Sequence, residues 1–294
     1  MTQLSFESIN ATFAREVANA TLWADIEPLV EPLRNAFCEH PVLVFRHQAL
    51  GSAHLLALGR ALGTPARYIE KSWWTAQPEI SNVSNMRDGN GAAIGGLSSR
   101  ELNWHTDQSY NAAPVTGCYL YAQVVPDAGG KTSWANLYGA YAALPTKLRN
   151  VVDNAVGTFS YAARTGAVIP NADADAVQQS YVERIRTTPD VKHPLVNTNP
   201  ATGAKALYID PGTLVAIDGM STSACQALTE ELLHYATLPR NIYQHDWEVG
   251  DLVLWDNAAT LHQRDPFPND QCRLLRRMIL DLPRERHIVP STVN

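Results

Sequence analysis

The chain has no apolar run approaching the roughly 18 residues that cross a bilayer as a helix, so it does not read as a membrane-spanning protein. Nor does it have a block of lysine and arginine interleaved with aromatics. Its formal charge of −6 supplies no positive face for a phosphate backbone, and nucleic acid is not an expected partner. Cysteine is scarce. The four, Cys38, Cys118, Cys225 and Cys272, show no C-x-x-C spacing, which removes the usual zinc and thiol-exchange motifs and leaves reduced, mostly buried thiols. The opening residues are polar and include an acid, with no basic-then-apolar leader, so a soluble, cytoplasmic protein is expected. No internal repeat and no linker interrupts the 294 residues, and at 45% hydrophobic and 18% charged they can bury one large core. A single domain over 1–294 is the expectation.

From Asp25 to about Glu39, the residues Ile26, Leu29, Val30, Leu33 and Phe37 recur at helical spacing, with Pro28 in a first turn. Pro41 ends that helix, Val42 to Phe45 is a short buried strand, and Ser52 can cap a second helix that runs to about Leu62 and closes at Gly63. Thr64 to Arg100 is irregular, and Trp73, Trp74 and the stretch Asn90 to Gly96 suggest a loop near something functional. Strand composition returns over Thr116 to Val125, with Tyr119 and Tyr121 on one face and Cys118 and Leu120 on the other. A turn at Pro126 to Gly130, a strand from Thr132, a helix from Leu137 to Leu144 and a strand from Ala155 to Tyr161 follow. Arg164 to Thr188 breaks the periodicity and reads as an insertion, either a helical excursion or a lid. Further strands are expected over Val191 to Val196, Ala206 to Ile209 and Arg273 to Leu282. Asn241 to Val249 and Leu252 to Trp255 are expected as a hairpin about Gly250-Asp251. Ser221 caps an amphipathic helix from Thr222 to Tyr235. Many short strands with a few helices outside them argue for a mixed α/β chain with a mainly β core, a double-stranded β-helix (jelly roll) flanked by helices.

The chemistry concentrates in Asn103-Trp104-His105-Thr106-Asp107-Gln108-Ser109-Tyr110, which offers an imidazole and a carboxylate two residues apart. On a strand such residues share a face and can close on one ion. His262, downstream of Trp255-Asp256-Asn257, is the third candidate ligand. Two imidazoles and one carboxylate on one side of a metal leave its other positions open, the arrangement of non-haem Fe(II) oxygenases. The remaining histidines, His40, His47, His54, His193, His234, His245 and His287, have no carboxylate at ligand spacing and read as surface or packing residues. Alternation puts Arg273 and Arg277 on one side of the last strand, with Arg276 on the other. Two guanidinium groups facing a barrel interior are costly without anions, which implies two anionic guests or one guest with two anionic ends. A zinc-binding or cupin-like β-barrel without oxygenase chemistry is the competing expectation from another class.

Five stretches in order resemble the taurine dioxygenase and 2,4-dichlorophenoxyacetate dioxygenase family of Fe(II)/2-oxoglutarate-dependent oxygenases. They are Val42 to Gln48, Trp104 to Asp107, Gly129 to Thr132, Trp247 to Asn257, and His262 with Arg273, and together they cover nearly the whole chain. The resemblance implies a clavaminate synthase-like jelly roll in which His105, Asp107 and His262 bind iron. It implies that Thr132 and Arg273 hold the distal carboxylate of 2-oxoglutarate, while Arg277 meets an anionic group of the substrate. It further implies that O2 and 2-oxoglutarate are consumed, succinate and CO2 are released, and an unactivated C–H bond is hydroxylated or desaturated. Halogenating relatives lack the carboxylate at position 107, so halogenation is not expected, and related enzymes often form dimers or tetramers. Trp73, Trp74, Trp104, Tyr110 and Tyr208 are candidate pocket walls. Glu101 stands where relatives of the taurine enzyme carry a substrate-contacting asparagine. This points away from taurine and towards a small carboxylate-bearing molecule, an amino-acid derivative or an aryl-oxy acid.

Overall fold

The computed structural model describes all residues except 1–3, 10–12, 25, 69–72, 97–98, 166–182 and 294. β1 (Phe6–Ser8) pairs with β2 (Ala14–Val17), which runs parallel to β3 (Val42–Phe45). The first helical repeat forms in two pieces, a 3-10 turn over Glu27–Leu29 and then α1, Val30–Glu39. Pro32 explains the break: it has no N–H to bond to residue 28, so the α ladder begins only beyond it. α2 (Ser52–Leu62) is capped by Gly51 and not by Ser52, which is the first helical residue. The segment expected to be wholly irregular contains two short strands, β4 (Thr64–Ala66) and β5 (Ser81–Ser84).

The chain then runs through β6 (Leu102–His105), β7 (Gly117–Val124), β8 (Thr132–Asn136), α3 (Leu137–Ala143), α4 (Thr146–Val152), β9 (Val156–Phe159) and α5 (Tyr161–Thr165). Of the expected insertion, 166–182 lies outside the described residues, and 183–187 are helical. The strand expected over Val191 to Val196 is split at Leu195 into β10 (Val191–Pro194) and β11 (Val196–Thr198), followed by β12 (Lys205–Leu207) and β13 (Leu214–Ile217). α6 (Thr222–Ala236) carries the expected cap, with Ser221 Oγ accepting from the Ala224 N–H at 3.2 Å. β14 (Ile242–His245), β15 (Leu252–Asp256), β16 (Thr260–Arg264) and β17 (Leu274–Asp281) complete the chain.

β14 and β15 are not a hairpin. β14 belongs to a four-stranded sheet in the order β14-β8-β16-β6, and β15 to an eight-stranded sheet in the order β1-β2-β3-β15-β7-β17-β4, with β5 also on β17. Gly250, at φ 93°, therefore turns a corner between sheets. Asp251 holds the corner from inside, accepting from Arg46 Nη1 at 2.6 Å, from the Glu248 N–H at 2.9 Å and from His245 Nε2 at 3.1 Å.

The two sheets face each other as the expected double-stranded β-helix, and alternation along β7 shows why. Tyr119 and Tyr121 pack outwards with Leu33 and Phe37 of α1 and Leu55 and Leu58 of α2. Cys118, Leu120 and Ala122 point inwards, where Trp255 of β15 meets Trp134 and Tyr243 of the smaller sheet. The outer face of the smaller sheet, through Ala135 and Leu261, is covered by α3, α6 and the strands β9 and β12. Each fully buried Leu or Phe in these layers contributes on the order of 2 kcal/mol. All four cysteines are free: Cys118 and Cys225 are buried, Cys38 is half-buried, and Cys272 is exposed. Among the described residues no helix is long and apolar enough to cross a membrane.

Candidate active site

His105 closes β6, His262 lies in β16, and the two are direct partners across that antiparallel pair. Opposed residues hold their Cβ atoms about 5 Å apart, and here the imidazole centroids end 4.0 Å apart. Asp107 arrives by a different route from the shared strand face that its spacing suggested. β6 stops at His105, and Asp107 sits in the turn that follows. Asn257 fixes that turn: its side chain accepts from the Asp107 N–H at 3.1 Å and donates to the carbonyls of Asp107 at 3.0 Å and Val115 at 2.8 Å. Thr106 returns a hydroxyl bond to the Asn257 carbonyl at 2.6 Å. The preceding Asp256 organises the loop to His262, its Oδ1 accepting from the N–H groups of Ala258 and Ala259, both at 3.1 Å, while Oδ2 faces His287 Nδ1 at 3.1 Å. Burial opposes a charge on His287, but the Asp256 contact overrides it and raises the imidazole to about 9. His245 and His287 thus do have carboxylate partners, Asp251 only six residues on and Asp256 across 31 residues.

One donor atom from each of His105, Asp107 and His262 lies within 4.8 Å of the other two, the only such group among the described residues that could hold a metal ion. His105 Nδ1 faces the Asn103 carbonyl at 2.8 Å, and a carbonyl can only accept, so Nδ1 carries the proton and Nε2 presents a lone pair 3.8 Å from Asp107 Oδ1. His262 Nδ1 is buried without a hydrogen-bond partner. Burial, then the neighbouring His262 and Arg164, hold His105 well below its ordinary value, and burial brings His262 down to about 4. Burial pushes the Asp107 carboxyl up, but His262, Arg277 and His105 outweigh it and bring it down to about 2. Two neutral imidazoles and an ionised carboxylate are a donor set for a divalent cation.

Beside the triad, Arg273 is 1% exposed, with Nε and Nη2 buried and unpartnered. Burial and, after it, the Arg264 charge lower its pKa to about 9, still cationic at neutral pH. Trp247 lies 6.0 Å from this guanidinium and donates its indole N–H to Thr132 Oγ1 at 2.9 Å, which leaves the hydroxyl proton of Thr132 free to donate elsewhere. The Arg277 guanidinium carbon lies over the Tyr68 ring, 3.9 Å from its centroid, and Nη1 reaches Asp107 Oδ2 at 3.7 Å. Burial works against its charge, and Tyr68 and Asp107 more than offset this, raising its pKa. Arg276 is turned away and bonds Gln123 and Asn82 at 2.7 and 2.8 Å.

These groups line one cavity of about 500 Å³. Tyr110 and Trp73 are in its wall, Tyr110 edge-on to Tyr161 at 4.8 Å and Trp73 stacked on Tyr68 at 5.4 Å. Four expected site residues are not. Trp104 neighbours His105 on the strand, so it points to the opposite face and packs behind the smaller sheet. Tyr208 lies in that same outer layer, between Phe159 and His193, and Glu101 is exposed to solvent before β6 begins. Trp74 is also outside the lining, its indole N–H donated to the Tyr68 carbonyl at 2.7 Å. Sequence reasoning missed Tyr68, Asn257, Arg164 and Arg264. Arg264 follows His262 by two residues on β16, so alternation was a sufficient signal, whereas Tyr68 lies in an aperiodic stretch and had none.

Known proteins agree with this architecture. The family model for "Taurine catabolism dioxygenase TauD, TfdA family" matches residues 5–279. The chain is 29% identical over 276 residues to the (S)-phenoxypropionate/alpha-ketoglutarate-dioxygenase of Sphingobium herbicidovorans, covering 91% of each. It is 30% identical over 277 residues to the alpha-ketoglutarate-dependent 2,4-dichlorophenoxyacetate dioxygenase of Cupriavidus pinatubonensis, covering 90% of each. A crystal structure of a taurine dioxygenase from Burkholderia xenovorans is similar at a TM-score of 0.77 and 25% identity, over 100% of this chain and 95% of that one. The chain belongs to the TauD, TfdA family and is a 2-oxoglutarate-dependent dioxygenase.

Proposed function

We propose that the chain forms one oxygenase unit over 1–294 that oxidises an unactivated C–H bond of a small anion-bearing molecule, by hydroxylation or desaturation, with Fe(II) held by His105, Asp107 and His262. The observation that carries this reading is the convergence of those three donor atoms within 4.8 Å in a buried site beside an unpartnered buried guanidinium. With 2-oxoglutarate and O2, bound iron supplies the oxidising power, and succinate and CO2 leave as co-products. The chain's own part is positioning. Arg273 offers Nε and Nη2 to the distal carboxylate of 2-oxoglutarate, and Thr132 adds the hydroxyl proton that Trp247 leaves free. Arg277, packed over Tyr68, presents its charge next to Asp107 and takes the anionic group of the substrate. Trp73, Tyr68, Tyr110 and Tyr161 give the cavity an apolar wall that excludes water from the reacting carbon. Asp107 fills the ligand position that a halide would need, which favours oxidation over halogenation. The named substrates of two relatives, phenoxypropionate and 2,4-dichlorophenoxyacetate, are small aryl-oxy acids and support the substrate class.

A screen of small carboxylates, aryl-oxy acids and amino-acid derivatives by succinate release tests the reading. For any substrate found, Arg277→Leu is expected to weaken its apparent binding roughly tenfold or more in steady-state kinetics, while the apparent binding of the co-substrate changes far less. Equal changes in both would mean that Arg273 and Arg277 have been given the wrong guests.

A further inference from the structure

Arg164 lies on α5 and lines the same cavity as Arg277. Its Nη1 lies 3.9 Å from Asp210 Oδ1, the outer edge of an ion pair. Asp210 is already satisfied without it. The buried carboxylate accepts from the Ser109 hydroxyl at 2.7 Å and from the Gly212 N–H at 3.0 Å. Burial raises the pKa of Asp210 against the pull of Arg164, which makes the acid a weaker counter-ion still. A guanidinium carries five N–H donors in a fixed fork, and the side chain of this one is 27% exposed. Arg164 and Arg277 both act electrostatically on Asp107 and on His262, so they stand around one centre. Their surroundings in the cavity are aromatic, with Tyr110, Tyr161 and Tyr68 in the same lining.

Arg277 already has Asp107 opposite it, and Arg273 lies deeper and is accounted for by 2-oxoglutarate. The acidic group nearest Arg164, Asp210, lies at the outer edge of an ion pair and is already held by two other hydrogen bonds. We propose that Arg164 is a second anion anchor, so that the molecule oxidised here carries two anionic groups, one met by Arg277 and one by Arg164, across an apolar or aromatic body. This holds only if the site is the oxygenase centre described above.

The test uses anaerobic protein loaded with Fe(II) and 2-oxoglutarate, titrated calorimetrically with phenoxyacetate and with its 3-carboxy and 4-carboxy derivatives. Wild type is expected to bind the better dicarboxylate about tenfold tighter than phenoxyacetate, the value of one charge-assisted contact. Arg164→Met removes most of that preference, Arg164→Lys keeps part of it, and Asp210→Asn, which leaves the guanidinium in place, retains it. Absence of any preference in wild type overturns the assignment. So does an equal loss of both ligand types in Arg164→Met, or loss of the preference in Asp210→Asn, since either would make Arg164 only a tether for α5. Melting curves exclude misfolded variants, and Arg164→Lys preserves the contrast if Arg164→Met does not fold. The visible charge-transfer band that Fe(II) and 2-oxoglutarate give together in the anaerobic protein reports on the oxygenase centre separately. Its absence overturns that reading, whereas a band without a dicarboxylate preference overturns only the role of Arg164.

Discussion

Arg273→Met is expected to make the ligand-free protein more stable and its hold on 2-oxoglutarate much weaker. The guanidinium is 1% exposed, and two of its nitrogens have no partner. Leaving buried donors unsatisfied costs about 1–3 kcal/mol each, and buried charges are often replaced by apolar groups of similar volume at no loss. Methionine fills much of the same space without the charge, so the apoprotein gains on the order of 1–3 kcal/mol and melts several degrees higher. Bound 2-oxoglutarate reverses the balance, because its distal carboxylate then lacks a forked partner. Removing one side of a buried charge-assisted pair costs about 2–5 kcal/mol, so affinity falls roughly a hundredfold or more. Thermal melts with and without 2-oxoglutarate read both effects. A variant that melts lower and binds 2-oxoglutarate as wild type does would show that Arg273 is structural.

Asn257→Ala carries the second large effect. Three hydrogen bonds to one side chain, one buried and two part-buried, fix the turn that delivers Asp107. Alanine leaves one N–H and two carbonyls to find other partners, at a cost of about 2–4 kcal/mol in stability. It also loosens a ligand relative to two imidazoles that stay in register, and disturbed supporting contacts lower metal affinity by roughly 10- to 100-fold. Asn257→Asp keeps only the acceptor for the Asp107 N–H and should fall short of full recovery. A folded Asn257→Ala protein with wild-type metal affinity would remove Asn257 from the positioning machinery.

The identities of the candidate ligands were legible because imidazole and carboxylate at that spacing, with a later histidine and paired arginines, are an uncommon combination. Their convergence was not legible. It depends on β6 lying against β16, a pairing between residues more than 150 positions apart that no local pattern encodes. The same limit produced the mistaken hairpin. Gly250-Asp251 has the composition of a tight turn, yet the deciding interactions come from Arg46 and His245, far away or in another sheet. Alternation worked where it was applied to long strands, as for Tyr119 and Tyr121 against Cys118 and Leu120 on β7. Applied to β6 it would have turned Trp104 away from the cavity. Short elements such as α4 and β13 carry too few residues for a period to show, and Tyr68 was invisible because its partner is a guanidinium on the last strand.

The most direct test is an anaerobic titration of the apoprotein with Fe(II) and then 2-oxoglutarate, followed by visible absorption, on wild type and on His105→Ala, Asp107→Ala and His262→Ala. Wild type should bind one metal ion and develop the weak charge-transfer band of a 2-oxo acid chelated to ferrous iron, and each substitution should abolish or greatly weaken it. A band that persists unchanged in the His262→Ala protein, or metal bound by wild type with no band, would contradict the assignment of these three side chains to one ion.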